Sequence, residues 1–217
     1  MIKLSEVVPA IVSGDPFLQY GLQYRLFNLT KLASHLRPMV EVRAKKTVRA
    51  SAILMALSRL QRSMKKISKG PGDFRVSNIA VHTGLGTFAF DKSEDVLRRV
   101  HRLHTEVLRK NGYITITEGT AEVTVIMDTA YASLIRKLLR RSAKSENTRV
   151  SALGIHFPAR YAEVPGFLCI ILQQIMLQGI NVVEVASTFT EFVLYIDEAN
   201  TKLAFDTIYH LFDVKMP

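Results

Sequence analysis

The feature that most constrains the fold is an order of elements that occurs twice between Phe74 and Phe212. Each pass reads strand, helix, two strands, helix, from alternating apolar residues in the strands and three-to-four-residue spacing in the helices. The first pass consists of strand Phe74–His82, turn Thr83–Gly86, short strand Thr87–Phe90, a helix capped by Asp91 or Ser93 and ending at Arg109, strands Tyr113–Thr117 and Glu122–Met127, and helix Thr129–Arg141. The second consists of strand Val150–Phe157, loop Pro158–Pro165, helix Gly166–Gln178, strands Asn181–Ser187 and Glu191–Ile196, and helix Ala199–Phe212.

This order predicts two ferredoxin-like βαββαβ domains, each an antiparallel sheet with both helices on one face. We place them at residues 73–145 and 146–217, with the polar stretch Ser142–Asn147 as the loop between them. The Gly/Pro-rich stretch Ser68–Asp73 is typical of a linker before the first domain.

The residues before the repeat predict a helical module over residues 1–72. A short helix Leu29–Leu36, the basic connector Arg43–Lys46 and a longer helix Val48–Arg62 capped by Thr47 follow the layout of a helix-turn-helix unit. Ala52 and Ala56 suit close helix packing equally well, so a docking or dimerisation module remains open. The whole chain is therefore expected to be α+β, with a helix-turn-helix-like module ahead of two ferredoxin-like domains.

The charge is concentrated in the first third of the chain. The formal net charge is +10, and residues 1–72 carry 13 Lys and Arg against 3 Asp and Glu. Excess positive charge favours contact with an anionic polymer such as DNA, because phosphate binding is charge-driven. The alternative is a solvated basic face. The candidate nucleic-acid-binding residues are Arg43, Lys45, Lys46, Arg49, Arg59 and Arg62.

The sequence offers no support for a membrane span or for catalysis. In the uncharged stretch between Glu163 and Glu184 the helix-competent part, Phe167–Gln178, has only 12 residues and is about 18 Å long, against a hydrocarbon core of about 30 Å. One cysteine, Cys169, excludes a disulfide scaffold and suits a reducing cytoplasm. We find no catalytic triad and no dinucleotide-binding glycine motif. His101 and His104 have a spacing that could place two imidazoles on one helix face, but the arginines around them oppose a metal cation, so neither an enzyme nor a cofactor is expected.

Two short motifs in the second repeat carry a resemblance to a known family. Val164–Leu168 (VPGFL) opens a helix and Gly179–Val183 (GINVV) opens the next strand. This pair resembles the signature of ACT domains, the regulatory fold of aspartate kinases and related amino-acid enzymes. The resemblance covers Val150–Phe212, and Phe74–Arg141 resembles a degenerate second copy. Together they resemble the paired ACT region of aspartate kinases, whereas the preceding 72 residues are too few for a kinase catalytic domain.

The resemblance implies an amino-acid site at an interface between side-by-side ACT domains, and hence a homodimer. Transferred position by position, it places the ligand at Val164, Pro165, Gly166, Phe167, Asn181 and Val182. Gly166 would expose backbone N–H groups at a helix N-terminus, which attracts a carboxylate. Asn181 offers both a donor and an acceptor.

The sequence thus predicts a cytoplasmic, non-enzymatic regulator that senses an amino acid through ACT-like domains and binds DNA through its basic helices. The alternative is an allosteric or scaffolding ACT protein that acts by protein–protein contact, with the N-terminal helices serving dimerisation.

Overall fold

The computed structural model describes residues 3–64 and 74–212, in which the chain forms two compact units, Met1–Ile67 and Ser68–Pro217. The predicted linker Ser68–Asp73 lies outside the described residues.

The N-terminal unit is helical, as the sequence predicts. Its described helices are α1 (Leu4–Ser13), α2 (Pro16–Gln23), α3 (Leu29–Ala44) and α4 (Ala50–Ser63). They enclose one apolar core that includes Val8, Leu22, Val40, Ile53 and Leu57. Side-chain caps set two of the helix starts: the Asp15 carboxylate accepts from the N–H groups of Phe17 and Leu18, and the Asn28 carbonyl oxygen accepts from those of Thr30 and Lys31.

Helix α3 corrects the prediction that the helix ends near Leu36. It continues through Pro38 to Ala44, because Leu36, Val40 and Ala44 are spaced four apart and all buried. Pro38 is on the exposed side, where water can satisfy the carbonyl that the proline leaves without its usual N–H donor. Arg43 therefore lies in the last turn of α3 rather than in a connector.

The start of α4 also differs from the prediction. The helix begins at Ala50 with Arg49 as its N-cap residue, not at Val48 after Thr47. Val48 is buried and donates its N–H to the Glu41 carboxylate at 2.9 Å. This hydrogen bond holds residues 47–49 out of helical conformation, so α4 begins two residues later than predicted. It also lowers the pKa of the Glu41 carboxyl.

The C-terminal unit is built on a six-stranded antiparallel sheet of order β2-β3-β1-β4-β6-β5. Its strands are β1 (Asn78–Asp91), β2 (Ile114–Glu118), β3 (Glu122–Asp128), β4 (Ser145–His156), β5 (Val182–Ser187) and β6 (Glu191–Asp197). Its described helices are α5 (Glu94–Leu108), α6 (Ala132–Leu139), α7 (Phe167–Leu177) and α8 (Thr201–Phe212). The helices pack in two pairs on one face of the sheet, α5 with α6 and α7 with α8. The predicted α+β fold class is confirmed.

Strand β1 corrects the prediction of two strands separated by a turn at Thr83–Gly86. It is continuous over 14 residues, with a register shift between His82 and Leu85 where Gly84 has a positive φ of 72°. The glycine absorbs a β-bulge and does not reverse the chain.

The long β1 joins the two repeats into one sheet. It pairs with β3 over residues 85–91 and with β4 at positions between 78 and 89. Each repeat therefore takes its fourth sheet strand from the first strand of the other. The same pairing draws Ser145–Asn147 into β4, so the loop predicted at Ser142–Asn147 is shorter than expected.

The two repeats also match in sequence at positions that the element pattern alone did not single out. Glu122–Asp128 (EVTVIMD) and Glu191–Asp197 (EFVLYID) share one burial pattern, and each leads into a 3₁₀ turn. The ends of α5 and α7 match through Asn111 and Gly179, with φ of 54° and 70°. Counting on from these residues, Tyr113 occupies the position equivalent to Asn181.

A tyrosine pair ties the repeats together on the sheet face away from the helices. The Tyr113 and Tyr195 hydroxyl oxygens, one from each repeat, are 2.7 Å apart. Tyr195 lies in a buried cluster with Leu85, Ile126 and Val150. Burial raises the pKa of the Tyr195 hydroxyl above its usual value.

This raised pKa predicts an alkaline limit to stability. A group whose pKa is higher in the folded state stabilises fully below its unfolded pKa, about 10 for tyrosine, and the contribution is lost as pH rises above that value. We expect the unfolding free energy to fall more steeply above pH ~10 in the wild type than in Tyr195→Phe. Urea unfolding at several pH values measures this. Tyr131→Phe, a partly exposed tyrosine, is the control and should follow the wild type; equal slopes for all three would contradict the prediction.

Candidate functional site

One loop distinguishes the second repeat from the first. Ten residues, Phe157–Gly166, connect β4 to α7, whereas only Lys92 and Ser93 connect β1 to α5. The two-residue connection between β1 and α5 is too short to form a cleft. The ten-residue connection between β4 and α7 is long enough, and a cavity lies beside it.

The loop is held by Tyr161, which is buried in the 3₁₀ turn Ala159–Tyr161. Its hydroxyl accepts a hydrogen bond from the Arg75 N–H at 3.2 Å, and its carbonyl accepts from the Val164 N–H at 3.1 Å. The loop ends at Gly166, the N-cap residue of α7, with φ of 94°. Only glycine adopts this φ without strain, so the approach to α7 depends on it.

The loop packs against a cluster of aromatic side chains. The centroid of the Phe74 ring lies 5.1 Å from the ring centroids of both Tyr161 and Phe167. The ring centroids of Phe157 and Phe167 are 4.8 Å apart. Phe74 precedes β1 and is fully buried. The segment leading into the first repeat thus helps to position the loop of the second.

A cavity of about 390 Å³ lies between this loop and the β5–β6 turn. It is lined by Phe157, Tyr161, Ala162, Val164, Gly166, Phe167, Leu168, Cys169, Ser187, Thr188 and Phe189. No side chain of the described residues caps α7, so the N–H groups of its first turn are free to bind a ligand at the cavity. These N–H groups and the positive end of the helix dipole favour an anion there, with hydroxyl groups and apolar side chains around it.

The structure brings together only part of the predicted ligand-binding set. Val164, Gly166 and Phe167 line the cavity; Pro165 lies in the same loop outside the lining. Asn181 and Val182 lie at the opposite end of α7, an 11-residue helix of about 16 Å. Within one chain they do not reach Gly166.

Sequence reasoning missed Ser187, Thr188 and Phe189, which form the cavity wall opposite the loop. Strands β4 and β5 both pair antiparallel with β6 and so run parallel to each other. The end of β5 therefore lies beside the start of α7. The predicted order of strand, helix and strand already implied that the end of β5 lies near the start of α7. The family motif at Gly179–Val183 directed attention instead to the start of β5.

The candidate nucleic-acid-binding residues are all exposed in the N-terminal unit: Arg43, Lys45, Lys46, Arg49, Arg59 and Arg62. Within the described part of the chain none of them forms an ion pair. Arg49 and Arg59 are about 15 Å apart along α4, so the set falls into two groups at the ends of this helix. An apolar cleft of about 540 Å³ lies between α1 and α4, beside Pro9, Ala52 and Ala56.

Residues 3–64 and 74–212 contain neither a metal-binding cluster nor a membrane-spanning helix. No group of three or more His, Cys, Asp or Glu residues there could hold a metal ion. No helix within the same ranges has the length and apolar character needed to cross a bilayer.

Comparison with known proteins places the fold. No protein-family model matches the chain, and no curated protein matches it in sequence. Solved structures do match: aspartokinase alpha and beta subunits share 15% identity at a TM-score of 0.52, covering 64% of this chain and 99% of that one. The ligand-free regulatory subunit of aspartate kinase from Thermus thermophilus shares 10% at 0.52, covering 63% and 98%. The aspartate kinase of Clostridium acetobutylicum shares 12% at 0.53, covering 69% and 37%.

The class of fold is therefore α+β, with two ferredoxin-like repeats in one sheet. More particularly, the fold resembles the paired ACT region of aspartate kinase regulatory subunits, as the motifs at Gly166 and Gly179 predicted.

Proposed function

We propose that this protein is a cytoplasmic, non-enzymatic regulator. It senses an amino acid, or a similar small carboxylate, at the cavity between the β4–α7 loop and the β5–β6 turn, called the β4–α7 cavity below. The observation that carries the proposal is the uncapped start of α7 at Gly166, which lines this cavity. The comparison with the regulatory subunit of aspartate kinase from Thermus thermophilus supports a regulatory role, since the match covers 98% of that chain.

The cavity matches the chemistry of such a ligand. Its volume of about 390 Å³ lies near the lower end of the range for small-molecule sites, about 300–1,000 Å³. The α7 N–H groups would bind the carboxylate, and the Ser187 and Thr188 hydroxyl groups could accept from an ammonium group. Val164 and Phe189 offer apolar contacts to the ligand's side chain.

A homodimer would complete the predicted set of ligand-binding residues. Strand β5 is at the edge of the sheet, and it exposes Val183 and Val185. Helix α7 beside it contains no charged residue and exposes Leu168, Leu172, Met176 and Leu177. We propose that two copies join their β5 strands antiparallel, which hides this apolar edge.

Such pairing has a geometric consequence for the site. If the pairing is centred on the middle of β5, the start of one strand lies beside the end of the other. Asn181 and Val182 of one copy would then approach Ser187 and Thr188 of the second, next to its cavity. The residues separated by the length of α7 within one chain would meet at the interface between copies.

A thermal-shift screen of the twenty amino acids tests the ligand claim. We expect at least one to raise the Tm of the wild type at millimolar concentration, because binding to the folded state stabilises it. Gly166→Ala should abolish this shift, since the strained φ displaces the α7 N–H groups. Gly84→Ala is the control: its φ of 72° imposes a similar strain away from the cavity. A wild-type protein that responds to none, or a Gly166→Ala variant that responds fully, would refute the proposal.

For the N-terminal unit we propose contact with DNA through the six exposed basic residues named above, Arg43, Lys45, Lys46, Arg49, Arg59 and Arg62. The observation that favours it is their lack of acidic partners in the described residues. The α1–α4 cleft favours the alternative, in which an apolar partner helix docks against Ala52 and Ala56.

A salt titration separates these two uses. Duplex DNA binding should weaken steeply as salt rises, because counterions are released from phosphates. Lys45→Gln with Lys46→Gln should reduce the affinity and flatten the salt slope, whereas Lys31→Gln, also exposed in this unit, should change both less. Absence of salt-dependent binding, or equal losses in all variants, would exclude the DNA role and leave protein docking.

A further inference from the structure

A basic groove runs between α5 and α6, two helices that do not line the amino-acid site proposed above. It encloses about 320 Å³ and is lined by Asp95, Arg98, Arg99, Arg102, Lys137, Leu138 and Arg140. A neighbouring cavity of about 450 Å³ shares Arg140 and adds Arg141, together with Arg136, which pairs at 2.8 Å with Glu146 of the same cavity. Five cationic side chains and one carboxylate therefore line the first cavity.

The carboxylate is already occupied by two of the arginines. Arg99 Nε lies 2.9 Å from Asp95, and Arg98 lies 3.7 Å from Asp95 and 3.0 Å from Glu94. Arg99 also donates to the Leu138 carbonyl oxygen at 3.1 Å, across to α6. The hydrogen bond from Arg99 lowers the pKa of Asp95, so the carboxylate stays ionised. These contacts fix one wall of the groove.

Three cations of the groove remain without such partners. Arg102, Lys137 and Arg140 are exposed and form no ion pair with the acids of the described residues. Arg140 terminates α6 with a φ of 53°, a position that glycine or asparagine usually fills. Like charges gathered around one cavity repel each other, and a bound anion would remove that cost.

The second repeat shows that the fold does not require this charge. Helix α7, the equivalent of α5, contains no charged residue, and Lys202 of α8 is paired with Asp206 at 3.1 Å. Among the described α-helices of the C-terminal unit, only α5 and α6 carry arginine or lysine without an ion pair. The difference points to a ligand of the first repeat.

We propose that the α5–α6 groove binds a small ligand carrying two or more adjacent phosphate groups. Arginine binds phosphate oxygens in pairs through its planar guanidinium, and lysine adds a point charge. The cavity is of small-molecule size, and Arg141 in the neighbouring cavity adds a further cation beyond Arg140, where a second phosphate would lie. Its position on the other repeat makes it a second site, separate from the β4–α7 cavity.

Isothermal titration of the full chain with inorganic tripolyphosphate tests this site, with sulfate at equal ionic strength as the reference anion. We expect tripolyphosphate to bind at least about tenfold more tightly than sulfate, because several charge-assisted hydrogen bonds form at once. The double variant Arg102→Gln, Lys137→Gln should lose about tenfold in affinity. Arg109→Gln is the matched control, since Arg109 follows α5, pairs with Glu106 and lies outside the groove.

Circular dichroism and Tm of the double variant separate a lost site from a lost fold. Both should match the wild type or show a higher Tm, because like-charge repulsion has been removed. Equal binding of sulfate and tripolyphosphate, or an equal loss in the Arg109→Gln variant, would overturn the proposal as general charge attraction. Tighter binding of a duplex DNA probe that is lost in the double variant would also overturn it, in favour of a nucleic-acid surface.

Discussion

Replacing Val185 by lysine is expected to leave the protein folded, to convert it to a monomer and to abolish its response to amino acids. Val185 is 40% exposed in the middle of the edge strand β5. A lysine there costs the isolated chain little, since its side chain extends into water. In the proposed dimer two lysines would meet near the twofold axis in an apolar interface, where both charges lose their hydration.

Sedimentation and the amino-acid thermal-shift screen measure the two effects in one preparation. Val81→Lys is the matched control, because Val81 is 39% exposed on β1, which lies inside the strand order. This variant should remain dimeric and responsive. A Val185→Lys monomer that still responds would show that one chain completes the site, and a Val185→Lys dimer would show that β5 is not the interface.

Replacing Phe74 by alanine is expected to destabilise the C-terminal unit by about 3–5 kcal/mol, the usual cost of removing a buried phenylalanine ring. Phe74 is fully buried between Tyr161 and Phe167, so the cavity left behind adjoins the β4–α7 loop. The loop should become mobile, and the amino-acid response should weaken even at temperatures where the unit stays folded.

Urea unfolding followed by circular dichroism gives the first quantity, and hydrogen exchange at residues 157–166 gives the second. Phe17→Ala, with its ring 53% exposed in the N-terminal unit, should cost well under 1 kcal/mol. Phe74→Leu should recover much of the loss, because it refills most of the volume. Unchanged exchange in the loop of Phe74→Ala would contradict the positioning role assigned to this ring.

The outcomes for β1 and α3 show where local patterns mislead. Thr83–Gly86 has the composition of a turn, yet it continues a strand, since hydrogen bonds to β4 on both sides of the bulge outweigh the local preference of glycine. Pro38 is a helix breaker by type, yet α3 continues because Val40 and Ala44 are buried beyond it. In both cases tertiary contacts distant in sequence decided the outcome.

The candidate site was likewise predictable from the sequence only where it depends on neighbouring residues. The motif at Val164–Phe167 identified the start of α7 and its loop, because Pro–Gly chemistry acts within a few residues. The opposite wall of the cavity at Ser187–Phe189 depends on which end of β5 adjoins the helix. That is a property of the sheet, and the family motif directed attention instead to Asn181.

Hydrophobic periodicity and turn residues act locally and recur in both repeats, so the sequence alone was enough to predict the repeated element order and the α+β class. The likeness to the paired ACT region came from the resemblance of the motifs at Gly166 and Gly179. The pairing of β1 with β4, which joins the two repeats into one sheet, became visible in the tertiary structure alone. The same is true of the separation of Gly166 from Asn181 by the length of α7 within one chain. The tertiary structure also gathers Arg102, Lys137 and Arg140 around one cavity. Strand pairing and helix packing join residues far apart along the chain, and no local pattern contains those distances.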